Sequence, residues 1–190
     1  MSTVSAKASS TSNSKILEQV VPTGTWHADP HHSRIDFAVK HMMISTIRGT
    51  FPDVVATLEG GVSPRLAGSV QIGTVTTGDE NRDAHLVAPD FFDAARHPQA
   101  TFSATLVEPA RVVGDLTIKG VTRELELEAT FSGPDTDPWG NERIGLELAG
   151  EIDRHDYGVS WNAPLPGGGV LVDDTVKLLA SFSFVKAKEA

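Results

Sequence analysis

Apolar and polar residues alternate with a period of two along most of the chain after Trp26. Over residues 33–41, Ile35, Phe37, Val39 and His41 share one face, and Arg34, Asp36 and Lys40 share the other. Successive side chains of a strand point to opposite sides, so this pattern predicts a strand. The same period predicts strands over 54–58, 66–72, 101–107 and 112–118. It is clearest in three later runs. Residues 122–131 set Leu125, Leu127, Ala129 and Phe131 against Glu124, Glu126 and Glu128. Residues 144–152 align Ile144, Leu146, Leu148 and Ile152, and residues 176–184 align Val176, Leu178, Ala180, Phe182 and Phe184. Gly60-Gly61, the 73–78 stretch, Gly114, Lys119-Gly120 and the 134–140 stretch supply the turns between runs. One segment breaks the pattern: Asp90 as a cap predicts a helical turn over 89–95.

About eight strands with one apolar face each make this an all-β chain, closed as an antiparallel barrel or stacked as a sandwich. The period alone does not choose between the two, nor does it tell a hollow interior from a filled one. The expected inward set is Ile35, Phe37, Val39, Phe102, Leu116, Ile118, Leu125, Leu127, Phe131, Leu146, Phe182 and Phe184. Small Ala56, Ala104, Ala129 and Ala180 fall among these large side chains, which leaves room for under-filled layers. Ahead of the strands, residues 1–23 read as a flexible tail in which 16–21 forms a short turn of helix, and residues 24–187 form the folded domain.

Charge and composition narrow the function. The 25 acidic and 16 basic residues leave a net charge of −9, without any basic run, which disfavours nucleic acid and anionic headgroups as partners. The absence of cysteine excludes disulfides, thiolate zinc sites and thiol nucleophiles. No stretch has the length of a signal peptide core or a membrane span, so the expected location is cytoplasmic. His31, His32, His41, His85, His97 and His155 show no metal-ligand spacing, and no metal or other cofactor is expected. Arg82, Asp83 and His85 read as a fixed turn in which Asp83 accepts backbone N–H bonds and Arg82 pairs with an acid. No nucleophile elbow, phosphate loop or dinucleotide fingerprint is present.

Four stretches carry a resemblance to a known family. They are Trp26-His27-Ala28-Asp29-Pro30-His31-His32-Ser33 with Val39-Lys40-His41-Met42 and Arg48-Gly49-Thr50-Phe51; Asn81-Arg82-Asp83-Ala84-His85-Leu86 with Asp90-Phe91-Phe92-Asp93 and His97-Pro98; Gly114-Asp115-Leu116-Thr117-Ile118-Lys119-Gly120-Val121-Thr122; and Asp156-Tyr157-Gly158 with Trp161-Asn162 and Gly168-Gly169-Val170-Leu171-Val172. In order and spacing they resemble the YceI-like family from Trp26 to Phe184. The resemblance implies an elongated, eight-stranded, antiparallel, lipocalin-like barrel that holds a long apolar ligand, such as a polyisoprenoid, an isoprenoid quinone or a fatty-acid derivative, and that pairs as a homodimer. Many members are periplasmic and carry a leader that is not seen here. The chain departs from the family pattern at Leu86-Val87-Ala88-Pro89, where a basic or small residue and no proline would be expected.

On that reading the inward apolar set binds the chain of the ligand, and His41 and Asn162 hold its polar head near the mouth. The Gly167-Gly168-Gly169 run is either a flexible surface turn or the hinge of a gate to which Trp161, Leu165 and Leu171 lend apolar weight. Two rivals are an enzyme, an isomerase or cyclase working on the same buried chain, and a filled barrel serving as a stress-related interaction module. The expected role is binding, without catalysis.

Overall fold

Each alternating run becomes a strand that pairs antiparallel with a neighbour in the chain, because most runs are joined by short turns. The computed structural model describes residues 3–188. Its elements are α1 (Thr3–Val20), β1 (Thr25–Ala28), β2 (Arg34–His41), β3 (Ser45–Phe51), β4 (Val54–Glu59), β5 (Arg65–Gln71), α2 (Glu80–Leu86), β6 (Gln99–Thr105), β7 (Arg111–Ile118), β8 (Val121–Thr136), β9 (Glu142–Asp153) and β10 (Val172–Lys186). The sheet runs β1-β4-β5-β6-β7-β8-β9-β10, and β10 pairs back to β1, which closes a ring of eight. β2 continues the line of β1 along β10, and β3 continues that of β4 along β2. The two breaks hold Pro30 and Pro52, which have no N–H to give a ladder. The fold is therefore the eight-stranded antiparallel barrel, with two helices.

Several expectations need correcting. β1 and β3 have no counterpart among the runs read from the sequence. The helix falls on Glu80–Leu86, where the Asp79 carboxylate caps it by accepting the Asn81 and Arg82 N–H groups. Residues 89–95 form turns instead: Asp90 is engaged by His85 at 2.7 Å, and Asp93 sits at a φ of 52°, which no helix continues through. Helix α1 covers much of the segment read as a tail. Its Leu17 and the following Val21 are buried against the barrel, while Met1, Ser2 and the side chains through Thr11 lie outside the described residues.

The interior has two halves. At one end Leu17, Val21, Trp26, Leu58, Leu106, Val112, Ile144, Leu146 and Phe184 are essentially inaccessible and pack as a solid core. They sit where β4, β6 and β10 finish and β1, β7 and β9 begin, and antiparallel register brings those positions to the same end. Trp26 donates its indole N–H to the Pro22 carbonyl at 3.0 Å, which satisfies the one polar atom it buries.

Outside this core, Arg143 of β9 ties down the link between β1 and β2. Its guanidinium meets Asp29 at 2.9 Å and Asp137 at 2.8 Å. Burial pushes the Asp29 carboxyl up, but hydrogen bonds from Arg143, His32 and the His31 N–H outweigh it and hold the group at about 2. A folded-state value below the unfolded 3.8 means that this contribution is present above 3.8 and lost as pH falls toward about 2. Urea melts of wild type and Asp29→Asn should differ at neutral pH and converge across that acid window; an equal gap at both ends would show that Asp29 acts through packing alone.

Candidate functional site: an apolar cavity and its lid

The other half of the barrel is hollow. A cavity of about 190 Å³ lies among inward residues of β2 through β10. That is comparable to the dry engineered cavity of roughly 150 Å³ that takes up benzene. Small residues stand among the large ones that line it: Ala56, Gly68, Ala100 and Ala180 put little side chain into the space. Of the alanines singled out in the sequence, Ala56 and Ala180 line the cavity, and Ala104 and Ala129 pack against or within the core.

Ile35, Phe37, Val39, Phe102, Leu116, Ile118, Leu125, Leu127 and Phe182, all expected to face the ligand, line this cavity. Phe131 and Leu146 do not: they are cross-strand partners packed in the solid half. His41, half-buried at the end of β2, is also outside it, and its carbonyl accepts the Ile44 N–H of the hairpin turn. Asn162 spends its amide oxygen and one amide N–H on the backbone of its own loop. Its Oδ1 accepts the N–H groups of Ala163, Leu171 and Val172, each at 3.0 Å, and its Nδ2 donates to the Val172 carbonyl at 2.7 Å. It fixes the path of the 162–172 loop instead. The alternation did not reveal Phe51, Leu86, Phe91, Phe92, Arg154, Tyr157 and Val159, which also line the cavity.

Most of those belong to a lid. Phe91, Tyr157 and Val159 form a second buried cluster with Ile118, backed by Leu86, Phe92 and Trp161. Trp161 lies over the cluster without touching the cavity. Its ring is 5.3 Å from Phe91 and 4.8 Å, edge-on, from His85. His85 in turn bonds Asp90 at 2.7 Å, and this contact holds the Asp90 carboxyl below its ordinary value. Lys119, at the β7–β8 turn, donates to the carbonyls of Pro89 and Gly158 at 3.0 and 3.2 Å, bridging the two lid segments. Burial pushes the Tyr157 phenol up, with Asp156 adding to the effect.

Arg154 is the buried charge beneath the lid, 4% exposed. Its N–H groups donate to the carbonyls of Asp173, Val159, Trp161 and Val172 and to Asp174 Oδ1, at 2.7 to 3.4 Å. A buried guanidinium is tolerable only when so fully bonded. Nearby, Asp83 accepts the Thr77 N–H and hydroxyl as expected of a turn, but Arg82 bonds Thr77 and forms no ion pair among the described residues. His32, His85 and His155 each meet a single carboxylate, that of Asp29, Asp90 and Asp174 respectively. No described helix is long and apolar enough to cross a membrane.

The comparisons agree with this architecture. The YceI-like domain matches residues 26–184. A Staphylococcus aureus protein, UPF0312 protein SAS2572, is 34% identical over 161 residues, covering 82% of this chain and 94% of its own. The Campylobacter jejuni YCEI protein superposes with a TM-score of 0.65 at 28% identity, over 78% of this chain and 90% of its own. A polyisoprenoid binding domain from Saccharophagus degradans superposes with a TM-score of 0.69 over 87% of this chain and 99% of its own; at 13% identity that likeness concerns the fold alone. From Trp26 to Phe184, then, the chain belongs to the YceI-like family.

Proposed function

We propose that the barrel binds and carries a long, thin apolar molecule, a polyisoprenoid, an isoprenoid quinone or a fatty-acid derivative, with its chain in the hollow half. The observation that carries this reading is an apolar cavity at one end of a barrel whose other end is solid. A protein built only for stability gains by filling such a space, since cavities cost packing energy. The name of the Saccharophagus degradans neighbour, a polyisoprenoid binding domain, supports the same ligand class.

The site favours binding over catalysis. Acid–base chemistry calls for a positioned donor and acceptor within reach of the reacting atom. The titratable side chains at the cavity are Arg154 and Tyr157, and Arg154 is committed to the lid backbone. Protein purified without detergent and extracted into organic solvent should release a long-chain lipid in near-stoichiometric amount by mass spectrometry. An extract free of lipid, together with no uptake of a polyisoprenol by the stripped protein, would refute the reading.

A further inference from the structure

The hairpin joining β2 to β3 turns at Met42 and Met43, whose φ angles are 54° and 59°, with the Ile44 N–H bonded to the His41 carbonyl. Two successive left-handed residues suit Asn-Gly and strain most other side chains. The tip is nonetheless apolar and open: Met42, Met43 and Ile44 are 39%, 65% and 81% exposed. It is tied to the lid, because the Met42 N–H bonds the Leu171 carbonyl at 2.8 Å, and Val170 beside that contact is also exposed. Contiguous exposed apolar residues at a strained turn mark a contact surface.

Charge says what the surface meets. Lys40 and Arg48 are exposed and share one face of the hairpin, as the Lys40–Thr46 and Ala38–Arg48 pairs require. Among the described residues no carboxylate pairs with either. On the neighbouring strands Asp36 is taken by Arg34, Glu151 by Lys177, and Asp174 by Arg154 and His155, while Asp173, Asp153 and Glu147 meet no cation among the described residues. On a chain of net charge −9, these two cations give the hairpin a local sign that anionic headgroups match. A second copy is the poorer occupant, since one hairpin tip falls well short of the roughly 800 Å² that each partner gives to a stable interface.

We propose that this tip is a reversible membrane contact: Met42, Met43 and Ile44 enter the acyl boundary of a bilayer while Lys40 and Arg48 meet lipid phosphates. This rests on the carrier reading, because the contact would set the lid of the cavity against the store of an apolar ligand. The test is sedimentation of the full chain with phosphatidylcholine vesicles, with and without phosphatidylglycerol. Binding should be weak, on the order of 10⁴ M⁻¹ as for a single acyl chain, and stronger with phosphatidylglycerol.

The combined substitutions Met42→Asn, Met43→Gly and Ile44→Thr should lower binding about tenfold. They also supply the residues the turn prefers, so the melting temperature should hold or rise. Replacing Lys40 and Arg48 by serine should remove only the part that depends on phosphatidylglycerol. Equal binding by wild type and the tip variant overturns the proposal. So does absence of binding to either vesicle, or a wild-type dimer that becomes monomeric in the tip variant. Uptake of a polyisoprenol dispersed in solution, measured on both proteins, separates the two readings: its loss in both refutes the carrier, whereas its retention alongside lost vesicle binding supports the membrane contact.

Discussion

Affinity for a homologous series of unbranched chains should climb about fourfold with each added methylene, then level off. The slope follows from about 0.8 kcal/mol per buried methylene, where about 1.4 kcal/mol is a factor of ten. The threshold follows from association, which costs roughly 4–15 kcal/mol before any net affinity appears. Ten methylenes gain about 8 kcal/mol and only begin to offset that, so short fatty acids should bind weakly and isoprenoid or quinone tails tightly. The plateau is a consequence of the structure: once the tail reaches Leu58, Leu106, Ile144 and Phe184 the barrel is solid, and further carbons stay in water. Trp161, packed on Phe91 at the lid, is the natural fluorescence reporter. An affinity that is flat across the series, or ranked only by headgroup, would place the binding site outside the cavity.

Leu127→Glu should abolish the fold at neutral pH, whereas Glu126→Gln, one residue earlier on β8, should be almost silent. Leu127 is 7% exposed, lines the cavity, and lies so close to Gly150 that a Cβ added there would be 2.5 Å from its side chain. The one cation that lines the cavity, Arg154, is already committed to the lid backbone and Asp174, so burying a carboxylate there costs several kcal/mol, a large part of a domain's total of about 5–15 kcal/mol. Glu126 is exposed and loses only its contact with Arg111, a solvent-screened surface pair that contributes little. Thermal melts of the two variants give the comparison, and equal mild losses would mean that the inward and outward faces of β8 have been exchanged.

The barrel was legible because a sheet with one wet face writes its register into the sequence with period two. Glu124, Glu126 and Glu128 are all exposed, while Leu125 and Leu127 face the cavity. β1 was missed because Thr25–Ala28 is too short to establish a period. β3 was missed because one of its inward positions is Gly49, where a Cβ would sit 2.3 Å from the Phe37 ring; the neighbour fills the space that an apolar side chain would have marked. Hollowness was not legible from the alternation either, since Leu127 at the cavity and Leu146 in the solid core obey the same rule. The lid is irregular, so Phe91 and Phe92 carried no period. Arg154, between Asp153 and His155, reads as an ordinary surface charge until its five hydrogen bonds are seen. The bonds of Asn162 to its own loop were not legible, because an amide suits a ligand head and a backbone equally well.

Lys119 and Arg154 hold the lid mainly through main-chain oxygens: those of Pro89 and Gly158 for the one, and of Val159, Trp161, Val172 and Asp173 for the other. A carbonyl oxygen is present whatever side chain its residue carries. The lid can therefore change its sequence while its fastening stays the same, and a mutation at Phe91, Phe92 or Val159 alters what the cavity meets without unlatching it. Divergent descendants of such a barrel could exchange one apolar cargo for another by drift in a few loop positions, with two cations and the strand framework left untouched.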